Sequence, residues 1–539
     1  MWKSGRMIAG VLGVLVGGCA LRTSPSPPPS TPGPRGSVSG MVRVFVTEDL
    51  RGAWDQAAAS LGRALPQVTL KVESGPWPAL RQRILQGDRP DLLVSLGPED
   101  LIPLVQKNLI ADGGALARVR LTVAESRSRP LGLEACPDLG KPLVQKIAVA
   151  PAKDSALGTA TRTALKKALT SKAVQAKLRE VAPEKLLPAV ANGAAQVAIV
   201  PLHWLRPGQP GASQVQRGVD VPDELGGDFR VSVSLLAGAS HSAAARAVLD
   251  HLLTPESKKA FVDWDCAPLG EDVPNRARRS LLVYCGAGLR RPMDEIGKRF
   301  KGETGVEVRY NYTGSPCLLA QIILYKKGDL YMPGEEYYMD QAVKRGFIAE
   351  HKVVAYFVPV IMVQKGNPRG VRKLTDLLKP GLKVGLGDPK SCALGSVTKR
   401  VLEKNGLWDR LERSRNLTFL ASMAPELGNH IKFGTLDAAI NWDAVASWYE
   451  DRADVVPIPA QQNVVSACPI GVLKLAKSQQ PELARQFLEF VATEGQEIFR
   501  KHHYTVDPKE PSYPEVPVSA PAGQGRGLGF GEPTRYAHP

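Results

Sequence analysis

Apolar positions along this chain follow two alternating periods. Short runs rich in β-branched and aromatic residues predict strands, and apolar residues three and four positions apart predict helices. In the first half these patterns predict strands at 41–47, 91–95 and 146–150 and helices at 52–64, 101–107 and 159–169. In the second half they predict strands at 281–285, 329–332 and 383–386 and helices at 292–300, 337–345 and 397–405. This alternation predicts an α/β fold, with helices on both faces of parallel or mixed sheets.

The second half repeats the order of landmarks found in the first. Asp91 is followed by Ile110 after 19 positions, and Asp329 is followed by Ile348 after the same 19 positions. A proline then comes 41 positions after each of these two isoleucines. The repeated unit is far longer than the roughly 20–50 residues of a solenoid repeat. The sequence therefore predicts a duplicated domain.

The two copies define the expected domain organisation. We expect a first domain at 41–272 and a second at 280–507, joined by a basic linker at 273–279. The chain has 539 residues, so each copy is long enough to bury a core of its own. The segment 508–539 is rich in proline and glycine, which predicts a disordered tail.

Residues 1–19 have the features of an export signal. Lys3 and Arg6 precede an apolar run that is too short to span a bilayer, and two glycines then lead into Cys19. This arrangement resembles the bacterial lipobox, in which the cysteine becomes the new N-terminus and carries lipid. We therefore expect a lipid anchor at Cys19 on the periplasmic side of the cell envelope. The proline-rich segment 20–40 predicts an extended, fairly stiff linker.

The overall charge narrows the possible partners. A net charge of +16 and a pI of about 9.5 are typical either of a solvated basic surface or of a protein with anionic partners, such as a small oxyanion or anionic lipid head groups. Zinc-finger spacing, RNA-binding aromatic motifs and basic helical arms are missing from the sequence, which argues against nucleic acid. Nucleophile elbows, P-loops and paired carboxylates are missing as well, so we expect no enzymatic activity and no cofactor.

Three predicted helix starts in the second copy are candidates for binding an anion. Ser315 and Pro316 suit the N-cap and the first position of a helix. The segment 388–395 leads from a strand to a helix, and 286–288 follows the first strand. A helix start presents unpaired N–H groups and a partial positive charge. Because such starts can meet at one crevice of an open α/β sheet, we expect an oxyanion pocket built mainly from backbone donors.

A longer series of short motifs runs through both copies in the same order. In the second copy the series is Ser315 to Ile322, Asp329, Phe347-Ile348, Gly387-Asp388-Pro389, Leu394-Gly395 and Cys468-Pro469-Ile470. In the first copy it is Leu80 to Ile84, Gly87, Asp91, Leu109-Ile110 and Asn192-Gly193. This ordered set resembles the periplasmic molybdate- and tungstate-binding proteins of ABC importers. The resemblance implies two tandem type II periplasmic-binding-protein domains, each with two α/β lobes, a mixed sheet, crossing hinge strands and a ligand between the lobes.

The resemblance also implies which residues contact the ligand. In the second domain the hydroxyl of Ser315 and the backbone N–H groups of Gly288, Leu394 and Ala424 would hold the oxygens of a molybdate-like oxyanion. Trp442 stands where the family has a tyrosine, and we expect its indole at the rim of the pocket. An ABC permease is the implied partner of the loaded protein.

The first copy departs from this pattern. Asp49 occupies a serine position, Trp77 or Ser74 stands at the second serine, and Pro201 stands at the tyrosine. An ionised carboxylate repels an anion by about 4 kcal/mol per pair of unit charges at 4 Å in an effective dielectric of about 20. We therefore expect the first copy to have lost oxyanion binding. Binding of a cationic or neutral ligand and a purely structural role both remain open for it.

The cysteines leave further alternatives. By the resemblance, Cys285, Cys317 and Cys392 lie within a few residues of pocket positions. A Cys285–Cys317 disulfide or plain buried thiols are the expected states, in preference to a soft-metal site.

A second class of function also remains open. The replacements at Asp49, Gly288 and Trp442 are consistent with two degenerate binding domains. Such a chain would be an interaction or sensory lipoprotein rather than a transport receptor.

Overall fold

The computed structural model describes residues 38–152, 155–168, 172–209, 211–222, 225, 229–239, 242–269, 280–475 and 480–507. The predicted signal peptide with Cys19, most of the proline-rich linker, the linker 273–279 and the tail 508–539 lie outside these ranges. Among the described helices, none combines the length and the apolar character needed to cross a bilayer.

The first domain contains two five-stranded sheets within the described residues, in the orders β2-β1-β3-β10-β4 and β7-β6-β8-β5-β9. The strands are β1 (Gly40–Thr47), β2 (Val68–Gly75), β3 (Leu92–Leu96), β4 (Ile110–Arg118), β5 (Leu121–Ser126), β6 (Ile147–Val149), β7 (Leu178–Glu180), β8 (Val197–Pro201), β9 (Val215–Asp220) and β10 (Arg230–Leu236). The helices are α1 (Arg51–Ala64), α2 (Trp77–Leu85), α3 (Pro98–Gln106), α4 (Ala156–Ala168), α5 (Lys172–Lys177), α6 (Leu186–Ala191), α7 (Ala243–Leu252) and α8 (Pro255–Val262).

The second domain repeats both sheets, in the orders β12-β11-β13-β20-β14 and β17-β16-β18-β15-β19. Its strands are β11 (Ser280–Gly286), β12 (Glu307–Thr313), β13 (Leu330–Met332), β14 (Ile348–Phe357), β15 (Pro359–Gln364), β16 (Val384–Gly387), β17 (Leu417–Ala421), β18 (Ala438–Trp442), β19 (Ala453–Pro457) and β20 (Ser466–Leu473). Its helices are α9 (Arg290–Thr304), α10 (Ser315–Tyr325), α11 (Glu336–Lys344), α12 (Ala393–Lys404), α13 (Trp408–Glu412), α14 (Ala424–Lys432), α15 (Asp443–Ala446), α16 (Pro481–Ala492) and α17 (Gly495–Lys501). Each strand occupies the place of the strand ten earlier, so the duplication is complete at the level of topology.

Each sheet is mixed, and the chain crosses twice between the two lobes of a domain. In the first lobe of the second domain β11 pairs in parallel with β12 and β13, whereas β20 pairs antiparallel with β13 and β14. The first crossing runs from β14 to β15 with a single residue, Val358, between them. The second returns from β19 to β20. These two crossings make the hinge, and they confirm the predicted two-lobed type II architecture.

The predicted helices and strands are present, with ends shifted by up to four residues. The helix predicted at 397–405, for example, begins at Ala393, and the helix predicted at 101–107 begins at Pro98. The first turn of a helix carries the capping residues rather than the apolar period, so periodicity locates the middle of a helix better than its start.

Besides a core within each domain, a third apolar cluster joins the two domains. Every residue of α10 is buried, although this helix belongs to the second domain. One cluster of buried side chains joins Phe45 and Leu101 of the first domain to Leu318 and Ile322 of the second. Helix α10 therefore lies between the two domains, in contact with α3, which explains why it is apolar on all sides.

Polar contacts cross the same interface. The ammonium of Lys326 lies 2.6 Å from Oδ1 of Asp112, and Arg246 also pairs with this carboxylate. The guanidinium of Arg345 donates to the carbonyl of Ile110 at 2.9 Å. Burial would raise the pKa of Asp112, but the charge of Lys326 and the hydrogen bonds from Lys326 and Arg246 together hold the pKa below its usual value. These contacts fix the orientation of one domain on the other.

Candidate functional site

Seven chain segments meet in the cleft of the second domain around a cavity of about 30 Å³. The residues predicted from the sequence all line it, namely Gly288, Ser315, Leu394, Ala424 and Trp442. Other lining residues include Thr313, Gly334, Phe357 and Cys392. The cavity is larger than the roughly 10–15 Å³ that one water needs, and far smaller than the several hundred Å³ of organic ligand sites. Its size suits a small ion.

Helix starts bring the backbone donors to this cavity. Gly288 lies in a 3₁₀ turn, Ala287–Leu289, between β11 and α9. Ser315 and Ala424 are the first residues of α10 and α14, and Leu394 is the second residue of α12. The first N–H groups of a helix have no partner within the helix. They therefore point unpaired donors, and the positive ends of the helix dipoles, toward the same space.

Ser315 occupies a different helix position from the predicted one. Gly314, which has no side chain to accept a capping hydrogen bond, is the N-cap of α10, and Ser315 is the first helical residue. The extended strand β12 ends at Thr313, and the next residue makes the turn into the helix. The Ser315 hydroxyl oxygen instead accepts from the N–H of Gly334 at 3.0 Å. Because this bond uses an oxygen lone pair, the hydroxyl hydrogen can still be donated to a ligand.

Two stacked aromatic rings form one wall of the cavity. The rings of Phe357 and Trp442 lie 4.7 Å apart between centroids and are nearly parallel, at 11°. Trp442 is only 2% exposed, so the expectation that its indole lies at the rim is wrong. Its backbone N–H donates to the side-chain oxygen of Asn441 at 2.9 Å, which fixes the end of β18. Sequence reasoning missed Phe357, whose only sequence signal is its place just before the first crossing.

The cavity is lined mostly by backbone and apolar side chains and carries no charge. Among the described residues that line it, none carries an ionised side chain. Burial raises the pKa of the Cys392 thiol to about 12, so this group stays neutral. Burial also raises the pKa of Asp443, next to Trp442, to about 7, which reduces negative charge near the cleft. The Tyr504 hydroxyl donates to the carbonyl of Gly288 and holds the 3₁₀ turn in place.

The cysteines of the described chain are free thiols. All six are buried, and the possible Cys285–Cys317 disulfide is not formed. The Cys285 thiol faces the carbonyl of Gly286 at 3.6 Å, and the Cys317 thiol faces a carboxylate oxygen of Glu99 at 3.8 Å. Within the described ranges no three His, Cys, Asp or Glu side chains are grouped as metal ligands. Buried thiols, the other alternative expected, are therefore what the structure contains.

The cleft of the first domain lies at the equivalent place but is much larger, at about 470 Å³. Asp49 lies in its 3₁₀ turn as Gly288 does in the second domain. Trp77 is the first residue of α2, so it is the counterpart of Ser315. Ser74 lies in β2, where its hydroxyl donates to the carbonyl of Val46 at 3.2 Å. The cleft of the first domain thus has an indole where the second domain has a hydroxyl.

Asp49 is paired within the protein. Its Oδ2 atom lies 3.0 Å from Nε2 of His203 and accepts from Nε1 of Trp204 at 2.9 Å. Burial alone would lower the pKa of His203, but its interactions with Asp49 and Cys266 together raise the pKa to about 9. Burial would raise the pKa of Asp49, yet the hydrogen bonds from His203 and Trp204 and the charge of His203 together keep it below its usual value. The two groups form a buried ion pair at neutral pH.

Comparisons with known proteins agree with this architecture. A family model described as bacterial extracellular solute-binding protein matches the chain twice, over residues 42–264 and 281–505. The molybdate-binding protein ModA of Mycobacterium tuberculosis is 31% identical over 233 residues, which is 42% of this chain and 84% of that protein. A sulfate-binding protein of Synechococcus elongatus is 25% identical over 231 residues, 38% of this chain and 66% of that protein. The periplasmic molybdate-binding protein of Azotobacter vinelandii, a solved structure, has 15% identity and a TM-score of 0.39, over 42% of this chain and 99% of that one. The resemblance expected from the motifs is confirmed.

Proposed function

Because this chain belongs to the bacterial extracellular solute-binding proteins, we propose that it binds a tetrahedral oxyanion, molybdate or tungstate, for an ABC permease. The binding site would be the cleft of the second domain. The observation that carries the proposal is the meeting of four helix starts at one small cavity with no charged side chain. Two of its relatives are named as a molybdate-binding and a sulfate-binding protein, which supports an oxyanion as the ligand.

Each lining group has a role in this proposal. The Ser315 hydroxyl and the N–H groups of Gly288, Leu394 and Ala424 would donate to the four oxygens of the anion. Backbone dipoles that are already oriented can bind a dianion without a charged side chain. Because no lysine or arginine forms an ion pair with the ligand, the dianion can also be released. The stacked ring of Trp442 would exclude water from one side. Release to a permease would follow opening of the two lobes about the crossing strands.

Replacing Ser315 by alanine tests the site. We expect the full-length protein to be stabilised against heat by molybdate, tungstate, sulfate or phosphate. A ligand present at 100 times its Kd adds about 2.7 kcal/mol to the free energy of unfolding. Ser315→Ala should weaken this binding about 10- to 100-fold, since a hydrogen bond to a charged group contributes about 1.5–3 kcal/mol. Thermal melts and calorimetric titrations of both proteins measure the two effects.

Ser447→Ala is the matched control. The Ser447 hydroxyl donates to the carbonyl of Ala444 at 2.7 Å and does not line the cavity. This variant should bind the oxyanion as the unmodified protein does. A full-length protein that none of the four anions stabilises at millimolar concentration would contradict the proposed site. Equal binding by the Ser315→Ala variant would show that the serine has no part in it.

The lipid anchor at Cys19 is a separate part of the proposal. It rests on the sequence, because Cys19 lies outside the described residues. Cys19→Ser should move the protein from the membrane fraction to the aqueous phase of a detergent partition, since the acyl chains that bury methylenes in the bilayer are lost. Metabolic labelling with a fatty acid checks the same point. Labelling that persists in the variant would contradict the assignment.

A further inference from the structure

The cleft of the first domain has a ligand chemistry of its own. We propose that it binds an organic cation, an amine with an apolar body, and thereby gives the protein a second ligand. This inference goes beyond the oxyanion site, because it concerns a different cleft, a larger cavity and the opposite charge.

The size and the walls of this cleft suit an organic molecule. Its volume of about 470 Å³ falls within the roughly 300–1,000 Å³ of small-molecule sites. A single tetrahedral ion would leave most of it filled with water. Apolar and aromatic side chains make up much of the wall, among them Leu96, Leu157, Leu187, Trp77 and Trp204. A ligand with an apolar body would bury its surface against them.

The charged groups of the cleft favour a cation. The carboxyl groups of Glu48, Asp100 and Glu184 line it, and Arg81 is the only lining lysine or arginine within the described residues. None of these carboxyl groups makes an ion pair with another described residue. Asp49 also lines the cleft, but its charge is already balanced by His203 beneath it. Glu48 and Glu184 therefore outnumber Arg81, and Asp100 is a third carboxyl group that an ammonium could hold in its ionised form.

Asp100 is the group that most directly indicates a ligand. Its side chain is 7% exposed, and one carboxyl oxygen accepts from the backbone N–H of Ala156 at 2.9 Å. No other hydrogen bond from a described residue reaches this carboxyl group. Burial raises the pKa of Asp100 to about 8. The charge of Arg81 opposes this rise in pKa without cancelling it, and a bound ammonium would stabilise the ionised form of Asp100 further.

The aromatic residues add a second means of holding a cation. The guanidinium of Arg81 already lies 6.0 Å from the centre of the Trp77 ring, which shows that a positive group is accommodated beside this indole. Indole rings attract cations more strongly than other aromatic side chains do. Arg81 would also repel a bound ammonium. Removing its charge should therefore strengthen binding of the amine, an effect that a purely structural role for Arg81 would not produce.

Titration of the full-length protein with matched probes tests the proposal. Tryptamine, phenethylamine and choline are the cationic probes, with tryptophol and indole-3-acetate as the neutral and anionic counterparts of tryptamine. We expect at least one of the amines to bind, and tryptamine to bind at least tenfold more tightly than tryptophol or indole-3-acetate. Equal binding of tryptamine and tryptophol would overturn the proposal. So would the absence of binding by every amine at concentrations up to about 10 mM, which corresponds to the weakest useful affinity.

Variants locate the binding in this cleft. Glu48→Gln and Asp100→Asn should each weaken amine binding at least tenfold, and Arg81→Gln should strengthen it. Ser315→Ala, in the other domain, should leave it unchanged. Circular dichroism and molybdate titration of each variant show whether the protein is folded. Because molybdate binding is measured separately, the two proposals can fail independently. Amine affinity that none of the cleft variants alters would overturn this one.

Discussion

Replacement of Gly288 by aspartate is expected to abolish oxyanion binding by the second domain. This change introduces the residue that the first domain has at the equivalent position, Asp49. A carboxylate there would repel a bound anion by about 4 kcal/mol per pair of unit charges at 4 Å in an effective dielectric of about 20. A loss of affinity beyond a hundredfold follows from that energy. Calorimetric titration of molybdate into the full-length variant measures it.

The control separates charge from volume. A Cβ atom at Gly288 would lie 3.1 Å from Cζ of Phe357 and 3.4 Å from Cγ2 of Val445, so any side chain crowds the wall of the cavity. Gly288→Ala adds this crowding without the charge and should retain more affinity than Gly288→Asp. A Gly288→Asp protein that binds molybdate within tenfold of the unmodified protein would place the anion elsewhere. That outcome would favour the alternative of a sensory or interaction lipoprotein.

Replacement of Leu324 by aspartate is expected to destabilise both domains together. Leu324 lies in α10 and is 2% exposed. Its Cδ2 atom lies 3.0 Å from the position that a Cβ on Gly113, in the first domain, would take. A charge at this shared core would be unpaired and buried, which costs several kcal/mol. We expect the free energy of unfolding, measured by denaturant titration, to fall by at least about 3 kcal/mol.

A surface leucine provides the comparison. Leu143 is 43% exposed, so Leu143→Asp should change the free energy of unfolding by no more than about 0.5 kcal/mol. Because an apolar cluster joins the two domains, the unmodified chain should unfold in one transition, and molybdate should shift that whole transition. Two separate transitions, with only one of them affected by Leu324→Asp, would contradict the shared core.

The sequence was most informative where a property depends on neighbours along the chain. The period of apolar residues located the helices and strands, and the equal spacing of landmarks in the two halves revealed the duplication. The helix starts at Ser315 and in 388–395 could be anticipated because each follows a strand, whereas Ala424 was expected only from the resemblance to the family. The backbone N–H groups of a helix start are present whichever side chains stand there, proline excepted. Local patterns therefore predict part of the donor set of this candidate site.

The tertiary structure decided what depends on distant segments. His203 lies 154 positions from Asp49, so the pairing that neutralises this carboxylate could not be read from either residue. The wall formed by Phe357 likewise depends on how the crossing strand packs on the end of β18.

Helix α10 could be recognised as apolar, but not as an interface, because a helix buried within one domain has the same composition as one buried between two. Local periodicity and repeated spacing thus determined the elements, the duplication and most of the helix starts at the second cleft. Only packing in three dimensions decided the size and charge of each cleft and the joining of the domains, since these arise from side chains far apart in sequence.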